Sequence, residues 1–366
     1  MTECDVAIIG AGMAGASLAA AIAGRRRVVL IEAEDHPGRH ATGRSAAFWS
    51  ETYGGPMVQP LTSASHRWFA ARGLLRPRGA LYLAGADDQP AISAFLGDFA
   101  GSGVVLERHG RDFAAALLPR LDARWQHCIW EPSCADIDVA GAHQACLAEA
   151  RRTGARLICG APVEGAARLG GPAGGWRLET RAGPVTAGLV VNAAGAWADR
   201  VAALFGAPPI GITPYRRTVV QLRVAPPAPA DLPLVLDMAG SFYFKPEAGG
   251  RLWLSPHDET RDRPHDVAPE ELDVALAIDR FGAATGWPVE AVERRWAGLR
   301  SFAPDRAPVY GHDPLCPGLF WCAGQGGFGI QTAPAAADLA ARLLLGDPAG
   351  PVDPAPYLPG RFARSA

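Results

Sequence analysis

Lysine is nearly missing from this chain: of its 35 basic residues only Lys245 is a lysine, an arginine bias that reads as genome composition rather than function. Strong net charge is missing too. With 37 acidic against 35 basic residues the balance is −2, which offers neither a nucleic-acid surface nor a polyanion partner. The only basic run, Arg25-Arg26-Arg27, is short enough to be plain solvated surface. The seven cysteines (4, 128, 134, 146, 159, 316 and 322) are odd in number and lack C-x-x-C spacing. That argues against a zinc site or a disulfide framework and for a reducing compartment. No apolar stretch reaches the roughly 18 residues of a membrane span. The apolar N-terminus has no basic leader, carries Glu3 and Asp5, and is broken by glycines, so it does not read as a signal peptide. The expectation is a cytoplasmic protein, and its 366 residues, 49% apolar, suffice for one large domain or two sharing a core.

What is present begins at the N-terminus, "DVAIIGAGMAGASLAAAIAGRRRVVLIEAE". Asp5 to Ile9 suits a buried parallel strand, Met13 to Ala23 a helix ended by Gly24, and Val28 to Ile31 a second strand. Between strand and helix lies a complete G-x-G-x-x-G. Gly10 permits the tight turn, Gly12 the approach of a pyrophosphate, and Gly15 close packing of helix on strand. The helix start offers free N–H groups and a positive dipole end to phosphates. Glu32 stands where a carboxylate should accept from a ribose hydroxyl. Dinucleotide binding is therefore expected.

The next segment, "HATGRSAAFWSETYGG" (40–55), is rich in small residues and holds one arginine. An NAD enzyme would be expected to continue into further strand–helix units. A bare loop here suits backbone lying against a large planar ring, so FAD is the expected dinucleotide. Two later segments repeat the strand–glycine–helix theme. Residues 187–206 break at Ala193-Ala194-Gly195, and residues 318–346 pass through Gly324 to Gly329 into a long amphipathic helix, whose first N–H groups are expected to face a reduced flavin. Three such junctions suggest one extended cofactor touched from several sides. Stretches near 170–175 and 225–233 read as loops or hairpin connections.

Through "GRHATGRSAA", "VVNAAGAWAD", "GSFYFKP", "WAGLRSFAPD" and "GQGGFGIQT" the chain resembles the D-amino-acid oxidase-like flavoproteins over nearly its whole length, nearest the bacterial FAD-dependent D-arginine dehydrogenase branch. The resemblance implies an α/β fold, α+β overall. A Rossmann-like FAD-binding domain would comprise 1–76, 142–206 and 301–366, with a β-rich substrate domain at 77–141 and 207–300. The implied cofactor contacts are Gly10, Gly12, Ala14, Gly15, Glu32, Ala33, His40 to Ala46 (Ala41, Thr42, Gly43, Arg44, Ser45), Val163, Ala194, Gly195, Trp197, Gly326, Gly327, Gly329, Ile330 and Gln331. A structural role competes at His40. No cysteine follows the clamp arginine in "RSFAPDRAPVYG", so the FAD should be non-covalent.

Oxidising an amino acid at Cα requires its carboxylate to be clamped and its amine to be neutral. Arginine is the natural clamp, because its planar fork meets a carboxylate in two places. Arg217 and Arg300 occupy the family's carboxylate-binding positions, with Arg216 open as a one-residue misregister. Tyr53 and Tyr243 match tyrosines lining the active site, the former on a mobile loop, and Gly298 and Gly327 match places where backbone nears substrate. Two departures matter. Phe48 and Ser50 replace a histidine and a threonine of the D-arginine enzyme, leaving no obvious base. Ala80 or Gly79 stands where a glutamate would face a cationic side chain. With Leu234 and Leu236 nearby, an apolar pocket for hydrophobic or aromatic D-amino acids is expected. A glycine, sarcosine or secondary-amine oxidase, a 2-hydroxy-acid dehydrogenase, and a non-enzymatic flavoprotein remain open. The electron acceptor is unassigned.

Overall fold

The computed structural model describes residues 2–118, 120–170 and 174–362. Residues 171–173 of the expected 170–175 loop and the last four of the expected cofactor domain lie outside them. Strand Thr2–Ile9 runs parallel to Val28–Ile31 on one side and to Val185–Asn192 on the other. Further parallel strands, Arg156–Ile158 and Leu319–Ala323, extend the layer outward. Strands buried on both faces must be apolar throughout, and all four residues of Val28–Ile31 are buried. The antiparallel pair Val163–Arg168 and Trp176–Thr180 and the strand Val309–His312 complete eight strands. The Ala-rich helix Met13–Ile22 packs against helices Val139–Arg152 and Ala333–Leu345. It ends on Ala23 in right-handed conformation, so Gly24 does not serve as a left-handed cap.

A ten-stranded sheet is built around the long strands Thr213–Val224 and Val289–Phe302, which pair antiparallel along their length. Side-chain alternation gives its two faces different jobs. Val220, Leu222, Phe244 and Leu254 pack with Val274, Ala277 and Phe281 of helix Glu271–Thr285. Arg217, Val219, Tyr243, Gly298 and Arg300 face a cavity instead. A three-stranded sheet joins Phe48–Trp49, Ala135–Ile137 and Leu75–Pro77, so residues from both sides of the expected 76/77 boundary interleave there. Strand Gln325–Gly326, expected with the cofactor half, pairs on the end of Val289–Phe302. Among the described residues no helix is long and apolar enough to cross a membrane.

Candidate active site

The glycine turn has the division of labour its spacing implies. Gly10 has φ +101°, and a Cβ there would lie 2.4 Å from the Ala193 carbonyl oxygen. A Cβ on Gly15 would lie 1.9 Å from the Gly10 carbonyl oxygen. Gly12 differs: the nearest protein atom to its Cβ position is Thr42 Oγ1 at 3.2 Å. Gly10 and Gly15 are bare for the protein's own packing, whereas Gly12 is bare toward the cavity. The Met13 N–H donates to Thr42 Oγ1 (3.0 Å), which brings the 40–47 segment against the turn. Glu32 accepts from the Ala11 N–H (2.9 Å) and the Glu34 N–H (3.1 Å), and lines the same cavity.

That cavity, about 430 Å³, is continuous from the glycine turn to the two candidate clamp arginines. Of the expected cofactor contacts it is lined by Gly10, Gly12, Ala14, Glu32, Ala33, His40, Ala41, Thr42, Arg44, Ser45, Ala46, Val163, Ala194, Gly195, Trp197, Gly326, Gly327, Gly329 and Ile330. Met13, Gly38, Pro162 and Val219, each near a marked segment, also line it, as do His265 and Val267, which no sequence signal marked. Three expected contacts do not reach the wall. Gly15 is consumed by packing, and a Cβ on Gly43 would lie 2.6 Å from the Gly38 carbonyl oxygen. Gln331 is buried, donating from Nε2 to the carbonyls of Ser50 (3.2 Å) and Tyr53 (2.9 Å) and to Thr62 Oγ1 (2.9 Å). The helix expected to aim at a flavin begins at Ala333, beyond the last lining residue Ile330, and its Ala335 N–H is taken by Ser65 Oγ (3.1 Å). Arg44 reaches the wall, yet its guanidinium is engaged by Asp266 and the carbonyls of Val267 (2.8 Å) and Ala297 (3.1 Å). His40 bonds Glu34 (2.8 Å) and packs on Trp197, a structural arrangement on the same wall.

At the far end of the cavity, register brings the arginines together. Arg217 pairs across from Gly298 and Tyr215 from Arg300, so both guanidiniums lie on one face as diagonal neighbours. Arg216 faces the other way, toward Glu270, Asp262 and Asp273, which decides the register in favour of Arg217. Arg217 has acidic company: Nη2 meets Glu259 Oε1 at 3.1 Å, and Nε donates to the Asp258 carbonyl at 2.8 Å. Arg300 has none among the described residues. It donates to the hydroxyls of Tyr53 and, at 3.4 Å, Tyr243, and a Cβ on Gly327 would lie 2.7 Å from its Nη1. Burial works against its charge, but the two phenols, together with the more distant Glu259, outweigh this and raise its pKa. A partly buried guanidinium without an acid partner on a cavity wall is a site prepared for an anion.

Tyr53 joins the pair. Burial alone would raise its phenol, but Arg300 and Arg217 together hold it below its ordinary value. Its loop is fixed from two sides, by Gln331 and by Glu131, a fully buried carboxylate that the sequence did not flag. Glu131 accepts from Ser50 Oγ (2.9 Å), Thr52 Oγ1 (2.6 Å) and the Glu51 N–H (2.7 Å), and burial raises its pKa. Ser50 is therefore part of a loop anchor rather than a substrate contact. His257, also unflagged, sits at φ +56° and packs against Tyr53 and Tyr243. Its Nδ1 lies 2.7 Å from the Gly240 carbonyl, which can only accept, so this nitrogen carries the proton. Burial, then the charges of Arg217 and Arg300, bring its pKa down to about 3.

The expected apolar pocket is not open. Phe48, Ala80, Leu234 and Leu236 are buried in a packed cluster with Tyr82, Ile129 and Tyr243, and none of the four lines the cavity. Phe48 closes edge-on against Tyr53 (4.9 Å) and Tyr243 (5.9 Å). Apolar side chains on neighbouring strands fill one another's space, and this cluster does so. Across from Ala80 stands Glu131, so a carboxylate does lie beside the vacated position, with its lone pairs already committed to the loop.

A family model described as "DAO: FAD dependent oxidoreductase" matches residues 5–343. Among similar proteins, glycine oxidase of Pseudomonas aeruginosa is 27% identical over 386 residues, covering 97% of this chain and 98% of that protein. FAD-dependent oxidoreductase domain-containing protein 1 of Bos taurus is 30% identical over 196 residues, 49% of this chain. The match spans only 40% of the bovine protein's length. The crystal structure of L-proline dehydrogenase from P. horikoshii superposes with a TM-score of 0.86 at 23% identity, covering 99% of this chain and 98% of that one, which establishes the fold.

Proposed function

The chain belongs to the DAO family of FAD dependent oxidoreductases, and on that premise we propose that it oxidises amines bearing a carboxylate, D-amino acids with uncharged side chains foremost. The products are an imine, hydrolysed to a 2-oxo acid and ammonia. The observation carrying this reading is Arg300: unpaired by any acid among the described residues, it stands on the wall of the cavity that the dinucleotide turn also lines.

The residues fit non-covalent FAD. Gly12 leaves room for a pyrophosphate, Glu32 presents a carboxylate to a ribose, and the bare 40–47 backbone borders the span between turn and arginines. When bound, FAD supplies the hydride acceptor. Arg300 and Arg217 hold the substrate carboxylate, displacing the Tyr53 hydroxyl as their shared partner. Tyr243 and the Gly298 and Gly327 backbone bound the reacting end. His257 stays neutral beside two guanidiniums and does not repel an amine. Among the described residues no carboxylate stands free beside the arginines to act as base, so the amine arrives neutral or loses its proton to water. We read the eight-stranded layer (1–76, 142–206, 301–366) as the cofactor half and the ten-stranded layer (77–141, 207–300) as the substrate half.

The similarity to glycine oxidase of Pseudomonas aeruginosa supports an amino-acid substrate, but basic side chains find no partner, because Ala80 carries no charge and Glu131 is committed to the loop. The packed Phe48–Leu236 cluster favours a second reading, a glycine or N-substituted amine needing little side-chain room. Anaerobic flavin bleaching with D- and L-amino acids, N-methyl amino acids and 2-hydroxy acids separates these readings. Bleaching by 2-hydroxy acids alone would end the amine proposal.

A further inference from the structure

The two cavity-facing guanidiniums are not equivalent, and the difference lies in Glu259. Its side chain is 35% exposed and bridges inward and outward: Oε1 lies 3.1 Å from Arg217 Nη2, and both oxygens lie 2.9 Å from Arg306 Nη2. Arg306 is half exposed and stacks over Phe302 at 3.9 Å, so the outer end of the bridge is fixed as well. The Asp258 carboxylate, held by the Thr218 N–H (2.7 Å) and hydroxyl (3.0 Å), adds a second negative charge 3.9 Å from Arg217 Nε. Arg217 is thereby neutralised by two acids, while Arg300 forms no ion pair among the described residues and feels Glu259 only at longer range. The site offers one uncompensated positive charge with a carboxylate already standing beside it.

We propose that Glu259 is a specificity-determining residue that restricts the site to amines carrying a single carboxylate. This rests on the function proposed above. A monocarboxylate satisfies Arg300 and shares Arg217. A second carboxylate on the substrate has no free cation to meet. It must either lie against Glu259, where like charges a few ångströms apart repel, or expel Glu259 from Arg217.

Glu259→Gln removes the charge and keeps the side-chain shape. The test compares kcat/KM for D-norvaline with D-glutamate, and for glycine with iminodiacetate, in wild type and variant. Binding of the unreactive propionate and succinate is read in parallel from perturbation of the bound flavin's absorbance, which requires no turnover. In wild type the monocarboxylates should be preferred and propionate should bind more tightly than succinate. In Glu259→Gln the dicarboxylate-to-monocarboxylate ratio should rise about tenfold in both assays, the scale of one like-charge contact near 4 Å at a partly solvated site. A ratio moved by less than about threefold, or wild-type preference for the dicarboxylate, overturns the proposal. The wild-type comparison stands even if the variant fails to fold. If no carboxylate-bearing amine reduces the flavin and neither acid perturbs it, the proposed function falls and this inference with it. Monocarboxylate turnover with an unmoved ratio removes the role of Glu259 alone.

Discussion

Replacing Arg300 by methionine should separate function from stability. The side chain keeps much of its length and loses its charge. Truncating one partner of a desolvated, hydrogen-bonded charge contact costs about 2–5 kcal/mol in binding. At about 1.4 kcal/mol per factor of ten, kcat/KM for the best amine should fall roughly 30-fold to several thousand-fold. The folded protein should not suffer in step. In the substrate-free protein Arg300 donates hydrogen bonds to phenol hydroxyls and, among the described residues, forms no ion pair that its loss would break. Losing two hydrogen bonds to neutral hydroxyls should cost about 1–3 kcal/mol of stability, less than stranding two acids. Arg217→Met is the contrast, because it strands Asp258 and Glu259 without their shared cation. That variant should lose both activity and thermal stability. The assays are anaerobic flavin reduction under pre-steady-state conditions and melting with FAD saturating. Arg300→Met within threefold of wild-type kcat/KM, or melting below Arg217→Met, would refute the reasoning.

Three further expectations concern separate parts of the site. Gly15→Ala pushes a Cβ to 1.9 Å from backbone and should destabilise the apoprotein, whereas the Cβ of Gly12→Ala meets only Thr42 Oγ1 and that variant should fold yet purify with less FAD, as circular dichroism and flavin content will show. In substrate-free protein the tyrosinate ultraviolet band should begin to appear below the ordinary tyrosine pKa of 10.0, in a component absent from Tyr53→Phe. A depressed acid stabilises the fold fully above its unfolded pKa, so the Tyr53 contribution should fade as pH falls through the shifted value. His257 is depressed from 6.5 to about 3, so its neutral form supports the fold fully above pH 6.5. This support is lost progressively as pH falls toward 3, by up to roughly 4–5 kcal/mol. Denaturant titrations across that window should show a weaker acid dependence in His257→Asn, a residue that tolerates the left-handed backbone. An unchanged slope would place the acid sensitivity elsewhere.

What could be read from the sequence follows from how local each feature is. The glycine turn is a contiguous device in which each residue's bareness serves a neighbour a few positions away or a close-packed strand, so spacing alone exposed it. Arg217 and Arg300 were singled out through the family resemblance, since an arginine beside a strand is by itself more often structural, and only the pairing of Thr213–Val224 with Val289–Phe302 shows that they share a face. Glu131, His257, Asp258 and Glu259 were invisible for the opposite reason. Acids and histidines are common on surfaces, and nothing in their neighbours' identities announces that pairing will bury one or set it against a guanidinium. Ala80 makes the point most sharply. Its lack of charge argues against a basic substrate, yet the strand facing it supplies Glu131 on the same face. What prevents that carboxylate from receiving a cation is its commitment to Ser50, Glu51 and Thr52, the residues that carry Tyr53 to Arg300. The charge of Glu131 is spent on holding the loop. Freeing Glu131 by Ser50→Ala with Thr52→Val should therefore loosen Tyr53 before it creates any affinity for D-arginine. A gain in D-arginine turnover with the Tyr53 titration unmoved would show that anchoring and selectivity are separable.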